Sequence, residues 1–126
     1  MDLTEFWVQE AWELLDEYEP GIVVTETVPS RGAGIPEQLY LANVMVTTVH
    51  TIALTEGVNC VQVSARTVQA HIAKRKEGVK ITKVQVRNGV LERCPELKPR
   101  FKEFVKHFEE PDAIAVGLYY GDTVNQ

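Results

Sequence analysis

The chain has 126 residues, of which 44% are apolar and 25% are charged, and its formal net charge is −5. This length predicts one domain spanning residues 1–126, with a core that needs no disulfide or structural metal. The composition excludes collagen-like, low-complexity and disordered chains. No apolar stretch approaches the ~20 residues of a membrane span, and the acidic N-terminus lacks the basic and apolar regions of a signal peptide. We therefore expect a cytoplasmic protein with no membrane partner.

Charge is distributed unevenly along the chain. The first 20 residues contain seven Asp and Glu and no Lys or Arg. Residues 74–87 contain a single acidic residue and six basic ones, which are Lys74, Arg75, Lys76, Lys80, Lys83 and Arg87. The overall acidity argues against a general nucleic-acid coat, whereas a local basic stripe is compatible with binding phosphates at one place. The alternative is a solvated loop and helix face.

The first elements in chain order are a helix and a strand. Apolar residues recur at steps of three and four before Pro20-Gly21, which predicts an amphipathic helix of about four turns. The residues of its apolar stripe are Leu3, Trp7, Ala11, Leu14 and Tyr18, and Phe6 and Leu15 widen it. Residues 21–28 are β-branched and nearly all apolar, which predicts a buried strand of parallel type.

The remaining elements complete an α/β pattern. A loop over 29–36 leads to a long apolar helix from Pro36 to Glu56, and Gly57 is placed to end it. A second strand over 58–64 and a short helix over 66–73 follow. Thr82 opens a helix to residue 93, although Asn88-Gly89 disfavours it, and two further helices are predicted over 99–107 and 113–120. A strand, a crossover helix and a second strand predict an α/β fold with a right-handed crossover.

Glu26 stands near the carboxyl end of the first predicted strand. A carboxylate in an otherwise apolar strand is costly to bury unless something pairs with it. Ligands of open α/β sheets bind at this end of the strands. Glu26 is therefore a candidate metal ligand or general base. The alternative is a carboxylate that emerges into solvent where the strand ends.

A second set of carboxylates precedes the last predicted helix. Glu109 and Asp112 are three residues apart, so a helical turn would direct both to one side. Together with Glu26 they would suit Mg²⁺ or Mn²⁺, which prefer oxygen ligands. Such sites cut phosphodiesters by activating water and stabilising the leaving oxygen. The alternative for Asp112 is a capping or first-turn residue that satisfies free amides and the helix dipole.

Four segments follow one another in a recognisable order. They are Val24-Thr25-Glu26-Thr27-Val28, the stretch VQVSARTV at 61–68, Lys83-Val84-Gln85-Val86 and the stretch EEPDAIAV at 109–116. This order resembles the RuvC-type Holliday junction resolvases of the RNase H-like superfamily, over residues 3 to 120. The most specific piece is Asp-Ala-Ile-Ala at 112–115. The resemblance implies an RNase H-like α/β fold, with a small, mainly parallel sheet flanked by helices.

The resemblance also implies a Mg²⁺-dependent endonuclease that binds branched or double-stranded DNA as a homodimer, in DNA recombination and repair. Glu26 and Asp112 match its metal-binding catalytic carboxylates, and Glu109 falls where the family has another Asp one turn earlier. Lys83 matches a catalytic lysine in a helix near the active site, and Gln69 stands where the family has a second basic residue. The expected DNA-binding residues are Lys74, Arg75, Lys76, Lys80 and Lys83.

The beginning of the chain departs from that family. The family opens with a three-stranded meander whose first strand carries the central catalytic Asp in an Asp-x-Gly motif. This chain starts at the following helix, and Asp2 cannot replace a carboxylate of a central strand. The expected site then lacks its central ligand, and the strand at 21–28 has an open edge that is prone to pairing. We expect another subunit, a partner chain or a rearranged local segment to cover that edge.

Three hypotheses follow. The first is a RuvC-like nuclease, complete as an oligomer or with an upstream piece, and the second is a relative that keeps the fold and binds nucleic acid or a partner without cutting. The third is an unrelated small α/β domain. Metal-dependent cleavage that is lost in Glu26→Gln would distinguish the first hypothesis, and binding without cleavage would distinguish the second.

Overall fold

The computed structural model describes residues 3–27, 36–76, 78–106 and 109–125. In chain order the elements are α1 (Leu3–Tyr18), β1 (Ile22–Glu26), α2 (Pro36–Thr55), β2 (Asn59–Val63), α3 (Ala65–Ala73), α4 (Lys83–Arg93), a 3-10 helix (Pro95–Arg100), α5 (Phe101–Lys106) and α6 (Glu109–Val124). The predicted α/β class is confirmed. The predicted loop over 29–36 lies almost wholly outside the described residues. The chain divides into two compact units, residues 1–62 and residues 63–126.

The first unit is a parallel strand pair with two helices. β1 and β2 pair in one sheet, and α2 is the crossover between them. Helix α2 contacts β1 and also packs against α1. Its end matches the prediction, because Gly57 follows it with a φ of +79°, a conformation that glycine adopts without steric cost.

Two burial predictions for the first unit are wrong. All five residues of β1 are half-buried rather than buried, because the sheet has two strands within the described residues and an apolar strand there has one pairing neighbour. On α1 the inner line is Trp7, Ala11 and Leu15, with Ala11 buried, whereas Leu14 is 51% and Tyr18 68% exposed.

The second unit is helical, and its core lies where α3, α4 and α6 pack on one another. Its buried apolar side chains are Val68, Ala70, Ile72, Val86, Val90, Leu91, Phe104, Ala115 and Val116. The predicted helix to residue 93 is confirmed, because α4 continues through Asn88-Gly89, the pair that disfavoured it in the sequence. Gly89 is buried and faces Ile72 of α3, where the two backbones approach closely. Glycine therefore serves helix–helix packing here rather than ending a helix.

The ends of the helices in the second unit follow local signals with one exception. Thr82 opens α4 as predicted, through a capping box in which its Oγ1 accepts from the Gln85 backbone N–H and its own N–H donates to Gln85 Oε1. Helix α6 begins at Glu109 and not at residue 113. Proline is compatible with a first helical turn, since the N–H groups there lack intrahelical acceptors. Pro111 and Asp112 therefore lie inside the helix.

Candidate functional site

The second unit carries the basic surface of the protein. Residues 63–126 contain twelve Lys and Arg against eight Asp and Glu, a net charge of +4. Residues 1–62 contain one Arg and ten Asp and Glu, a net charge of −9. The first unit is therefore net negative and the second unit is net positive. Electrostatics favour binding of an anionic ligand to the second unit.

Lys83 and Asp112, two of the predicted catalytic residues, meet in this unit. The Lys83 Nζ donates to Asp112 Oδ2 at 2.6 Å. The capping box at Thr82 fixes where α4 begins, which makes Lys83 its first residue. Asp112 lies in the first turn of α6, so the contact joins the N-terminal ends of two helices. The positive charge of the Lys83 ammonium group balances the negative charge of the Asp112 carboxylate at this contact.

Glu26 lies in the first unit, at the last position of β1. Its neighbour Thr25 has Oγ1 at 2.9 Å, a hydrogen-bonding distance, from Nε2 of His50 in α2. Successive side chains of a strand point to opposite faces. Thr25 therefore faces α2, and Glu26 projects from the other face of the strand pair. Its side chain is half-buried.

The predicted metal ligands are only partly described. The Glu109 side chain lies outside the described residues, although its spacing from Asp112 along α6 places both on one helix face. Among the side chains that the structure describes, no three His, Cys, Asp or Glu lie close enough together to hold a metal ion. The set of Glu26, Glu109 and Asp112 therefore stays a prediction. Asp112 Oδ1 lies outside the Lys83 contact, so this carboxylate keeps an oxygen suited to a hard cation.

The predicted DNA-binding residues lie mainly in the segment between α3 and α4. Lys74 ends α3 in the left-handed conformation, with φ 56°, and pairs with Glu92 of α4 at 3.1 Å. Arg75, Lys76 and Lys80 are exposed, and within the described part of the chain no carboxylate pairs with them. These three cations are therefore open to a polyanion, whereas Lys74 and Lys83 already have acidic partners.

Gln69, which stands where a second basic residue was expected, lines a cavity of about 260 Å³ in the second unit. Arg66 lines the same cavity, together with Gly78, Val79 and Ile81. Arg66 is exposed. A positive charge thus stands one helical turn before Gln69, although Gln69 itself is neutral.

A cluster around Asp122 joins α3, α4 and α6, and the sequence did not reveal it. Asp122 Oδ1 accepts from Arg93 Nη2 at 2.9 Å, Asp122 Oδ2 also bonds Arg93 Nη1, and His71 Nε2 donates to Oδ2 at 2.7 Å. The ring of Tyr119 meets that of His71 edge-on at 5.3 Å. His71, Arg93 and Asp122 lie on three different helices, so no short sequence motif predicts their contacts. The cluster ties the end of α6 to the two other helices of the core.

We expect this cluster to make stability depend on pH in the acidic range. Hydrogen bonds from Arg93 and then His71 lower the pKa of Asp122 from 3.8 to about 2. The stabilisation is therefore fully present above pH 3.8 and is lost as the pH falls through about 2. Urea unfolding across this range should show the loss in the wild-type chain and a shallower dependence in Asp122→Asn. Titration of the Asp122 carboxyl near pH 4 in an NMR experiment would show that the pairing is not formed in solution.

Comparison with known proteins gives no identification. No family model matches the chain, and no curated protein matches it significantly. No helix of the described residues is long and apolar enough to cross a membrane.

Proposed function

We propose that the chain is a RuvC-like protein with an RNase H-like fold that acts on branched DNA as a Mg²⁺-dependent endonuclease. The observation that carries the proposal is the contact of Lys83 with Asp112. The resemblance to RuvC-type resolvases assigns both residues to one active site, and their side chains are 2.6 Å apart although 29 positions separate them in sequence. A lysine beside a catalytic carboxylate can also reach a phosphate oxygen of a bound strand.

The order of elements supports the same proposal. Helix α1, strand β1, crossover helix α2 and parallel strand β2 are followed by the helices of the second unit. The resemblance orders its segments in this way, with Glu26 on the first strand and Asp112 near the start of the last helix. The proposal includes a homodimer or a partner chain along the outer edge of β1, since an apolar strand with an open edge is a pairing surface.

The residues that would hold Mg²⁺ or Mn²⁺ are Glu26, Glu109 and Asp112, all oxygen donors of the kind these ions prefer. A bound ion would activate water and stabilise the leaving oxygen of a phosphodiester. The protein's own part is to orient the carboxylates. Lys83 would orient the Asp112 carboxylate by donating a hydrogen bond to Oδ2. The position of Glu26 is set by strand β1, of which it is the last residue.

In this proposal the affinity for DNA comes from the basic segment, which is residues 74–87. The contribution of this segment can be measured from the salt dependence of DNA binding. Each phosphate contact releases counterions, so Lys80→Ala should reduce the slope of log affinity against log salt by about 0.9. Lys83→Ala should reduce it less, because Asp112 already balances part of the Lys83 charge. Lys102→Ala, which removes an exposed charge on α5, is the matched control. An unchanged slope in the Lys80 and Lys83 double variant would count against both residues as phosphate contacts.

A second candidate function is binding of branched DNA without cleavage. The observation that favours it is the same salt bridge, because Asp112 is engaged by a lysine and a cation must compete with that ammonium group. The exposed cations of the basic segment do not depend on a metal. Binding would therefore survive where cleavage does not.

A labelled four-way DNA junction tests both functions. Ca²⁺ is expected to support binding without cutting, and Mn²⁺ is expected to support cleavage; a linear duplex of the same sequence serves as the control. Junction binding with cleavage in Mn²⁺ supports the first function, and binding in both ions without cleavage supports the second. Equal, weak affinity for the junction and the duplex would contradict both, and would favour a small α/β domain unrelated to resolvases.

A further inference from the structure

A cavity of about 220 Å³ in the second unit lies between the end of α3 and one side of α4. It is separate from the Lys83–Asp112 contact, since neither of those residues lines it. Its polar lining comes from Lys74, Arg75, Gln85, Asn88 and Glu92. The left-handed turn at Lys74 ends α3 at this cavity, and both basic residues stand at its wall.

The amide side chains in the lining offer hydrogen-bond donors. Gln85 Oε1 accepts from the backbone N–H of Thr82 at 2.8 Å, and Asn88 Oδ1 accepts from the Arg87 guanidinium at 3.4 Å. Each amide oxygen thus accepts one hydrogen bond from the protein. The NH₂ groups can donate only, and they are the ends that could bind an anionic ligand.

The charges of the lining point to an anion. Glu92 is the one carboxylate among the described lining residues, and its Oε1 accepts from Lys74 Nζ at 3.1 Å. The charges of Lys74 and Glu92 thus balance each other. Arg75 has no acidic partner in the described part of the chain, so among the described lining residues one positive charge is not balanced by a carboxylate.

We propose that this cavity binds a phosphate group. A guanidinium group with amide NH₂ donors around it matches the acceptor oxygens of a phosphate, and charge-assisted hydrogen bonds of this kind are the stronger ones. The inference rests on the proposed function only for the source of the phosphate. If the protein binds DNA, the phosphate belongs to the backbone or the end of a DNA strand. A free nucleotide carries the same group and is the other source.

The test uses inorganic phosphate as the probe and the whole chain, labelled with ¹⁵N. Phosphate should shift the side-chain amide signals of Gln85 and Asn88 in a saturable way, and chloride at equal ionic strength should not. Arg75→Ala should weaken the affinity about tenfold, the loss of one good charge-assisted contact. Lys102→Ala, which removes one exposed positive charge of α5 outside the cavity, should change the phosphate affinity by less than about twofold.

A variant of opposite sign sharpens the test. Glu92→Gln removes the negative charge from the lining and releases Lys74, so phosphate should bind several-fold more tightly. A structural role for the Lys74–Glu92 pair alone would lower stability in this variant without raising affinity. Absence of saturable shifts, or equal phosphate affinity in Arg75→Ala and Lys102→Ala, would overturn the proposal.

The source of the phosphate is resolved by two more ligands, a junction with either 5′-phosphate or 5′-hydroxyl ends and a nucleoside monophosphate. Arg75→Ala should weaken junction binding if a DNA strand is the source, and its effect should need the 5′-phosphate if the strand end is bound. Junction binding without phosphate binding would defeat this inference and leave the proposed function intact. Phosphate binding that depends on Arg75, without junction binding, would defeat the proposed function and leave this inference, with a nucleotide as the ligand.

Discussion

Gly89→Ala is expected to destabilise the protein by about 2–3 kcal/mol, near the upper end for overpacking in a core. A Cβ at Gly89 would overlap the backbone carbonyl oxygen of Ile72 and lie 2.9 Å from Ile72 Cγ2. The carbonyl belongs to α3 and cannot rotate away as a side chain would. Helices α3 and α4 must therefore separate, which disturbs the packing of Val68, Ile72, Val86 and Val90. Urea unfolding of the variant and the wild type measures the effect.

Gly117→Ala is the matched control for this prediction. Gly117 also lies inside a helix, α6, but a Cβ added there meets nothing within 4 Å. Alanine should stabilise an open helical position by up to about 1 kcal/mol, because it loses less backbone freedom than glycine. Two variants with the same chemical change should thus have opposite signs. Equal effects would show that α3 and α4 are not in close contact at Gly89.

Local signals in the sequence predicted the elements well where the stabilising groups are neighbours in the chain. Thr82 and Gln85 form a capping box within four residues, and Gly57 ends α2 by its own conformation. Such interactions depend on residue types at fixed short spacing. They can therefore be predicted without knowing what else the helix contacts.

Burial and packing could not be predicted in the same way, because they depend on partners distant in sequence. The apolar residues of β1 indicate a buried strand, yet the strand has one pairing neighbour within the described residues and is half-buried. Gly89 lies inside the predicted helix although glycine has a low helix propensity, and the reason for its presence, the close carbonyl of Ile72, is not visible in the sequence. Asp122 is bonded by residues 29 and 51 positions away. No periodicity in the sequence records these contacts.

The candidate site was predicted in part. Lys83 and Asp112 were both identified through the resemblance, and the structure places them in contact. The pairing itself was not predicted, and Asp112 was expected just before a helix that in fact includes it. Asp112 lies in the first turn of α6 and pairs with Lys83, so it is not an N-cap residue. Of the alternative role as a capping or first-turn residue, the interaction with the helix dipole is what is left.

The separation of charge between the two units has a consequence for cleavage. Residues 1–62 carry a net charge of −9 and include Glu26, while DNA is itself a polyanion. A carboxylate in such surroundings repels a phosphodiester unless a cation lies between them. If the proposed function holds, cleavage that uses Glu26 would require a divalent ion. Binding of DNA through the positively charged second unit would not require one.

We therefore expect Glu26→Gln to reduce cleavage of a four-way junction in Mn²⁺ by at least about a hundredfold, the scale of effects seen when metal sites are disturbed. Glutamine keeps the shape of the side chain on β1 but lacks the charge that a hard cation needs. Junction affinity in Ca²⁺ should stay close to that of the wild type, because the exposed cations of the basic segment are unchanged. Single-turnover cleavage and gel-shift titration measure the two effects separately.

Glu56→Gln provides the control, because it removes one exposed carboxylate from the same unit, just after α2. Glu56→Gln should leave the cleavage rate unchanged. The comparison separates the loss of a metal ligand from the general effect of a lower negative charge on the first unit. Mn²⁺ affinity is the second measurement, and both Glu26→Gln and Asp112→Asn should weaken it. If Asp112→Asn lowers stability while Mn²⁺ affinity persists, Asp112 acts through Lys83 as a structural partner of α4. If Glu26→Gln cuts as well as the wild type, Glu26 is a strand-end carboxylate and the cation, if one binds, is held elsewhere.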